Sequence, residues 1–350
     1  MDRLTHFDYS STHQGDQCTT FNELKGTSLT RLPRLAIPPQ PTQLDAKTNT
    51  MKTLPLWLMV ILVLPCETTA QNEGNAGVVL ELPASTRAMA LGNAFVLSGT
   101  QPDVVFYNPA VVPQASGFSF GFQRFGSAST LLTTSSASGG FAVGIQALSF
   151  GTGSQNLVNN PPSLGSLTVD GSTSVSELIG TIAYGRTVVG FRVGLAAKWI
   201  EQRVAGERGG IPAADVGVSR EVGPLTFGAS VQNIGPDLSL GPADLPAPLR
   251  VGFGVSSDVE QLGPLDVALT AAIYRQHDGG IMAGGGIEIA YWPITGRTLT
   301  ARLGAIHEPH TGTMHLTLGG AVTLDSFSGD YAFQDVSTNG SSHRAGITWR

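Results

Sequence analysis

Residues 189–200 read V-G-F-R-V-G-L-A-A-K-W-I, a run in which large apolar residues alternate with small or charged ones. Successive side chains of an extended strand point to opposite faces. One face therefore carries Val189, Phe191, Val193, Leu195, Ala197 and Trp199, and the other carries Gly190, Arg192, Gly194, Ala196 and Lys198. The first face suits lipid and the second suits water, so the run predicts a strand that crosses a membrane.

The same alternation recurs along the chain from residue 117 onward. The runs are residues 117–125, 128–135, 140–150, 177–184, 188–200, 213–220, 225–233, 249–256, 265–274, 281–291, 298–306, 314–323, 327–333 and 344–349. Single-chain bacterial barrels usually have an even number of strands. The pattern predicts an all-β fold, a transmembrane antiparallel up-and-down β-barrel of about 14 strands, whose outside is apolar and whose inside is small and polar.

The predicted connections differ in length between the two ends of the barrel. The long ones are residues 151–175, 201–212 and 234–248, and the tight ones are residues 185–187, 221–224 and 324–326. Barrels of the outer membrane have long outer loops and short periplasmic turns. A chain that starts on the periplasmic side therefore places its long connections outside the cell.

Composition narrows the class of protein. The chain has 44 glycines in 350 residues, about twice the usual share, and many lie inside the strand-like runs. The triplet Gly284-Gly285-Gly286 lacks the strand-then-helix context of a phosphate-binding loop, so we interpret it as crowding in the lumen. The formal net charge of -6, without a basic cluster, argues against a nucleic-acid partner.

The first 70 residues are interpreted as segments outside the fold. Residues 51–70 combine Lys52, an apolar core at residues 54–64 and a small-residue cleavage site ending at Ala70, which predicts a signal peptide. The core is shorter than the roughly 20 apolar residues of a membrane-spanning helix. Residues 1–50 have no apolar period and are either a disordered leader or an over-extended start.

Residues 71–112 lack the strand alternation and are predicted to form an N-terminal plug in a barrel made by residues 113–350. Residues 84–91 predict a short helix, and N-P-A at residues 108–110 predicts a turn. The polar residues of this segment are Arg87, Asp103 and Asn108. We expect them to anchor the plug to the wall by hydrogen bonds, with ligand binding as the alternative.

Two motifs of this segment resemble the opening signature of the PorV/PorQ family, which belongs to the FadL-like group of outer-membrane barrels. They are A-S-T-R-A-M-A-L-G-N-A-F-V at residues 84–96 and D-V-V-F-Y-N-P-A at residues 103–110. The similarity continues in order through A-A-D-V-G-V, V-Q-N-I-G, L-P-A-P-L-R-V-G, D-Y-A-F and R-A-G-I-T-W. It covers nearly all of the chain after Ala70. One departure is Arg350 after Trp349, since barrels of this group commonly end on an aromatic residue.

Nine charged residues are assigned to the lumen-facing side of the predicted strands. They are Arg192, Lys198, Asp215, Arg250, Asp266, Glu288, Arg302, Asp330 and Arg344. Their mixed signs favour a paired network over a selective transport path or a ligand site, because charges away from bulk water need partners.

A metal or catalytic site is not predicted. His307, His310 and His315 lack the helical spacing of the zinc-protease motif, and Pro309 lies in a predicted outer loop. No nucleophile and base occur in a supporting context, so we expect neither an enzyme nor a cofactor.

The resemblance implies two different functions in the outer membrane of a Gram-negative bacterium, both in contact with its lipid. PorV/PorQ similarity implies a type IX secretion partner that passes secreted cargo proteins to surface-attachment machinery. The FadL-like relationship implies a channel for a hydrophobic ligand, with residues 78–82 and 95–97 either lining its pocket or packing the plug. A barrel that only organises the envelope is a third alternative.

Four apolar residues in the predicted outer loops bear on the choice between these functions. Leu157, Val158, Leu238 and Leu240 either contact a partner protein or fold back over the barrel mouth.

Overall fold

The computed structural model describes residues 76–94, 97, 99–125, 129–150, 175–204, 206–308, 312–336 and 340–350, all within the compact unit Cys66–Arg350. The N-terminal part of these residues contains helix α1 (Thr86–Ala90) and 3-10 helices at Val78–Leu80, Pro102–Phe106 and Pro109–Gln114. No helix in the described part of the chain is long and apolar enough to cross a bilayer.

The rest of the described chain is almost entirely extended. The strands are β1 (Gly117–Phe125), β2 (Ser129–Ser138), β3 (Phe141–Phe150), β4 (Val175–Val188), β5 (Phe191–Val204), β6 (Glu207–Val222), β7 (Leu225–Ile234), β8 (Leu238–Leu240), β9 (Ala243–Leu245), β10 (Arg250–Ser257), β11 (Glu260–Leu262), β12 (Leu265–Gln276), β13 (Ile281–Ile294), β14 (Arg297–Glu308), β15 (Thr313–Leu324), β16 (Phe327–Val336) and β17 (Gly340–Trp349).

The sheet closes on itself. Strands β1 to β7 pair in sequence order, β10 pairs with both β7 and β12, and β12 to β17 continue in order until β17 pairs with β1. All of these pairings are antiparallel, while β11 only extends the edge of β12 and β8 pairs with β9 in a separate hairpin. The described residues therefore form a closed antiparallel barrel of 14 strands, which confirms the predicted fold class.

The alternation in residues 189–200 is confirmed from Phe191 onward. Leu195 and Trp199 are exposed on the outer face, whereas Arg192 and Lys198 are buried inside. Val189 instead occupies the turn before β5, with a φ of +48°. Outward apolar side chains recur on the other strands and give the barrel an outer surface suited to lipid.

The two ends of the barrel are distinct. We name the end that carries the start of β1 and the end of β17 the turn end, and the opposite end the loop end. The prediction of a tight turn at residues 185–187 is wrong, because β4 continues to Val188. The prediction of a loop at residues 201–212 is also wrong, because β5 runs to Val204 and β6 starts at Glu207.

The two strands continue past the predicted loop boundary because their alternation continues there. Ile200 and Val204 on β5 and Ile211 on β6 all point inward and are buried. On the outer face, Glu201 accepts hydrogen bonds from Arg203 at 2.9 Å and from Arg208 at 2.6 Å, which ties the extended hairpin together.

The prediction of a small, polar interior is only partly correct. At the loop end, inward positions of β2 to β6 carry large apolar side chains. We name this group the loop-end cluster; its wall residues are Leu131, Leu148, Phe150, Val175, Ile179, Ile200, Val204, Ile211 and Ala213. These residues are buried because other parts of the chain fill the lumen beside them. The alternation within a single strand cannot predict such a contact with residues that are distant in sequence.

Candidate functional site

Residues 76–83, named here the arm, fill the loop-end cluster from inside the lumen. Gly77 has a φ of +66°, which leads the chain into the single turn Val78–Leu80. Val79 is completely buried and Leu80 nearly so, in one hydrophobic cluster with the wall. The arm is therefore a peptide that occupies an apolar recess in the lumen.

The polar contacts of the arm converge on three buried side chains of the wall. The carboxylate of Glu177 on β4 accepts hydrogen bonds from the N–H groups of Val78 at 3.2 Å and Val79 at 2.7 Å. Gln202 accepts from the N–H of Gly77 at 3.4 Å, and Gln146 donates to the carbonyl of Val79 at 3.5 Å. The wall thus binds the backbone of the arm as well as its side chains.

A hairpin covers the cluster at the loop end. Leu238 and Leu240 on β8 and Leu245 on β9 are buried within it. Of the two alternatives for Leu238 and Leu240, the structure thus has the one in which they fold back over the barrel mouth. Leu157 and Val158, for which the same question was open, lie outside the described residues.

The described residues of segment 84–116, which are 84–94, 97 and 99–116 and are named here the belt, cross the lumen in close contact with glycines of the wall. A Cβ built on Gly284 would lie 1.9 Å from the carbonyl oxygen of Gly92, and one built on Gly217 would lie 1.9 Å from Oδ1 of Asn108. Both distances are far below any van der Waals contact. These contacts favour the interpretation of Gly284 and Gly286 as lumen crowding, while Gly285 points outward.

The structure places Arg87, Asp103 and Asn108 at three different positions of the belt. Arg87 donates to both carboxylate oxygens of Glu288 on β13, at 2.9 and 3.0 Å. Asn108 points its amide at carbonyls of β6 and β7, 3.5 and 3.4 Å away, and its Oδ1 accepts from the N–H of Ala110. Asp103 is buried beside Ser85, within the belt itself, so its hydrogen bond does not reach the wall.

Burial changes the acid–base properties of two belt residues. It raises the pKa of Asp103 from its usual value, against the lowering effects of the Ser85 hydrogen bond and of Arg344. It also raises the pKa of Tyr107 to about 12. The hydroxyl oxygen of Tyr107 accepts from the N–H groups of Ala84 and Ser85, both at 3.0 Å, and so fixes the start of α1. Sequence reasoning missed Tyr107, since its role depends on contacts 22 and 23 residues away.

Most of the predicted lumen charges are buried and have charged or polar partners. Glu288 and Arg302 pair directly, and Arg302 also contacts Asp330 at 2.8 Å. With Arg87 they form what we name the ion-pair chain. A second pair joins Lys198 to Asp215 at 2.8 Å, with both side chains almost fully buried.

The remaining predicted charges have individual partners or lie near the turn end. Arg192 pairs with Glu221, and Arg250 donates to Gln232 at 2.8 Å. Arg344 donates to Gln123 at 3.1 Å and also contacts Thr133 and the carbonyl of Ala84. Asp266 is partly exposed on β12. This distribution favours a paired network over a stripe of one charge.

Sequence reasoning missed Glu177, although a signal was present. Residue 177 has the same parity as Ile179 in the predicted strand 177–184, so its side chain had to point inward with that of Ile179. Its position at the predicted start of the strand gives no sign that it contacts residues 78 and 79. Gln146 and Gln202 carry no charge and give no comparable signal in the sequence.

Space beside the belt is very limited. A cavity of about 10 Å³ lies between Arg87, Leu91 and Thr270, and another of about 10 Å³ lies between Gln101, Asp103 and Arg344. Each has room for about one water molecule. The belt therefore excludes larger molecules from these positions.

The histidines do not assemble into a metal centre in the described part of the chain, where no group of three or more His, Cys, Asp or Glu side chains is placed to hold an ion. His307 lies at the end of β14, and His315 is buried on β15 with its Nε2 2.8 Å from the hydroxyl of Thr313. Pro309 and His310 lie outside the described residues.

The closed sheet satisfies its own backbone hydrogen bonds, and its outer face is apolar while its lumen is filled. Only a helix or a closed barrel meets these requirements in a bilayer. The fold therefore defines a transmembrane β-barrel of the outer-membrane class.

No protein-family model and no curated protein sequence matches the chain, so the PorV/PorQ resemblance has no support there. Solved structures do match. The crystal structure of the P. putida toluene transporter TodX is 13% identical, with a TM-score of 0.44, and the match covers 79% of this chain and 97% of that one. A TodX deltaS2 mutant, described as a monoaromatic hydrocarbon channel, is 12% identical with a TM-score of 0.46 over 77% and 97%. A Pseudomonas aeruginosa FadL homologue is 10% identical with a TM-score of 0.44 over 76% and 98%.

Proposed function

We propose that the barrel admits apolar small molecules through its lumen and that the arm is the gate. The observation that carries this proposal is the loop-end cluster, a group of large apolar side chains on the inner wall of a barrel. The lumen of a water-filled pore is polar. An apolar recess inside the barrel therefore favours an apolar molecule as its occupant.

The arm is held in a way that suits exchange with such a molecule. Its side chains Val78, Val79 and Leu80 are buried, and exposing them to water costs roughly 5–9 kcal/mol, at about 1.5–3 kcal/mol for each. Departure of the arm also exposes the wall. An apolar ligand that covers the wall offsets part of this cost, so ligand binding and opening are coupled.

A disulfide between the arm and the wall tests the gate. A Cβ built on Gly77 would lie 3.1 Å from Cγ2 of Ile200, so a Gly77→Cys, Ile200→Cys double variant places two thiols at disulfide distance. We expect cells that express the wild-type barrel to take up N-phenyl-1-naphthylamine, a neutral apolar probe that fluoresces in lipid, several-fold faster than cells without it. The oxidised double variant should abolish this gain, and a reductant should restore it.

The single variants Gly77→Cys and Ile200→Cys are the controls, because each carries one change without the crosslink. Gly77→Cys also measures the strain of a side chain at a positive φ. Uptake that is equal in locked and reduced barrels would overturn the role of the arm. Uptake that is equal with and without the barrel would overturn the channel itself.

The type IX secretion function is not supported by the described residues. Leu238 and Leu240, the described part of the apolar loop surface that was a candidate for contact with cargo, are buried where their own hairpin packs on the loop-end cluster. A deletion of the barrel that removed type IX cargo from the cell surface would nevertheless favour that function over the channel.

A further inference from the structure

The loop-end cluster has a polar edge where it meets the backbone of the arm. Glu177 is almost completely buried there, and its carboxylate accepts two hydrogen bonds from the N–H groups of Val78 and Val79. Among the described residues, no lysine or arginine forms an ion pair with Glu177. The arm thus satisfies this carboxylate with neutral donors alone.

One further group at this edge is incompletely satisfied. Nε2 of Gln202, which lies opposite Glu177 on the neighbouring strand, is buried and has no hydrogen-bond partner among the described residues. Buried polar atoms without partners are rare in folded proteins. This free donor beside the arm is an independent sign that the edge is built to contact a polar group, to which it offers a donor as well as the acceptor Glu177.

The cation on the neighbouring strand is already committed. Lys198 points inward two positions before Ile200, and its ammonium contacts Asp215 at 2.8 Å and Asn233 at 2.7 Å. It is therefore not free to neutralise a second anion in the cluster. Among the described residues, the ionisable group that faces a ligand at the polar edge is therefore Glu177.

We propose, on the basis of the channel function above, that the cluster selects apolar molecules whose single polar group donates hydrogen bonds and carries no negative charge, such as long-chain alcohols, amides or amines. The arm occupies the cluster with apolar side chains, three N–H donors to Glu177 and Gln202, and one carbonyl that accepts from Gln146. A ligand whose polar group donates to Glu177 reproduces the shortest of these hydrogen bonds. A carboxylate in the same position faces Glu177 without a cation between them. Two carboxyl groups in a poorly solvated site cannot both ionise without strong repulsion, so fatty acids bind weakly.

A matched series of ligands tests this selectivity. The full barrel in phosphocholine nanodiscs is loaded with N-phenyl-1-naphthylamine, and dodecanol, dodecylamine and dodecanoate compete for it, with empty nanodiscs subtracted. We expect the alcohol and the amine to displace the probe at concentrations at least tenfold lower than the carboxylate. The selectivity ratio is the concentration of dodecanoate needed to displace the probe divided by that of dodecanol. Glu177→Gln should lower this ratio at least fivefold, because the variant removes the carboxylate and keeps an acceptor.

Glu260→Gln is the matched control, since Glu260 is an exposed carboxylate at the turn end; its ratio should equal that of the wild type. Dodecanoate that competes as well as dodecanol in the wild type would overturn the selectivity and leave the channel standing. An unchanged ratio in a folded Glu177→Gln barrel would also overturn it. If neither the probe nor any competitor binds, the channel function fails and the selectivity fails with it. The wild-type series alone decides if the variant does not fold.

Discussion

The belt and the arm are consecutive parts of one segment, yet the wall holds them differently. Around the belt the wall has glycines, and its backbone approaches atoms of the belt so closely that a methyl group at Gly284 or Gly217 has no space. Around the arm the wall has large side chains such as Ile179 and Ile200, with Glu177 binding two N–H groups.

This difference teaches which part of the segment is exchangeable. At Gly284 the contact is with the backbone carbonyl of Gly92, so the belt fits a single path there because neither side has a rotamer to adjust. A surface of apolar side chains accepts any apolar group of suitable volume. The belt therefore fits as a permanent part of the barrel, and the arm is the part that a ligand would replace in the proposed channel.

The largest effect is expected from filling a glycine contact of the belt. Gly284→Val places side-chain atoms where the carbonyl of Gly92 lies, and backbone atoms on both sides cannot yield. We expect either no folded barrel or a loss of stability of at least about 3 kcal/mol. Heat-modifiable mobility on a gel shows whether the barrel folds, and the urea midpoint measures its stability. Gly180→Val is the control, because a Cβ at Gly180 has no atom within 4 Å. Normal folding of Gly284→Val would mean that the belt is as adaptable as the arm.

The ion-pair chain should give the next largest effect. Arg302→Met leaves the carboxylates of Asp330 and Glu288 without their shared cation, while Arg87 still pairs with Glu288. We expect a loss of about 3–5 kcal/mol in the free energy of unfolding, as for other buried pairs with one partner removed.

Arg203→Met is the control for Arg302→Met. Arg203 is 56% exposed at the loop end, and an exposed pair of this kind contributes about 1 kcal/mol or less. Similar losses for the two variants would show that the ion-pair chain does not hold the belt more firmly than a rim contact.

The barrel was predictable from sequence because its evidence is local. Each strand repeats a period of two, and the pattern in residues 191–199 survives unchanged in the structure. The direct pairing of Glu288 with Arg302 was not predictable, since it depends on the register of β13 and β14. The register of two paired strands follows from the position of the turn between them. The turn predicted at residues 185–187 lies at residues 189–190 in the structure, so the sequence pattern alone did not locate it.

The candidate site was harder to predict than the fold. Ile179 and Ile200 occur on the face assigned to the lumen, where an apolar side chain contradicts the simple rule of a polar interior. Only the arm, which is distant in sequence, makes their burial favourable. The resemblance of residues 84–96 and 103–110 pointed to the belt, whereas the residues that define the exchangeable contact lie before it and on the wall.

A pair of leucine truncations sharpens the comparison directly. Leu80 of the arm and Leu91 of the belt are both buried. Each change to alanine therefore removes a similar apolar contact and weakens the packing of its segment by about 2–4 kcal/mol. We expect Leu80→Ala to speed hydrogen exchange of the arm amides and leave the urea midpoint of the barrel unchanged. Leu91→Ala should lower that midpoint. Equal effects on the midpoint would show that arm and belt unfold as one unit.

The smallest effect is expected at Asp103, where burial and electrostatics oppose each other. Since its pKa is raised in the folded barrel, its ionised form is disfavoured there, and its contribution is present at low pH and lost as the pH rises through the raised pKa. Asp103→Asn should therefore raise stability at neutral pH, because the amide keeps a hydrogen-bond acceptor and has no charge to bury. As the pH falls toward about 4, the stability of the wild type should rise relative to that of the variant. Urea midpoints of the two proteins, measured in parallel, check this. If the wild type instead became more stable relative to the variant as the pH rises, the favourable charges of Arg344 and Arg87 would outweigh the effect of burial on Asp103. Asp103 would then extend the ion-pair chain into the centre of the belt.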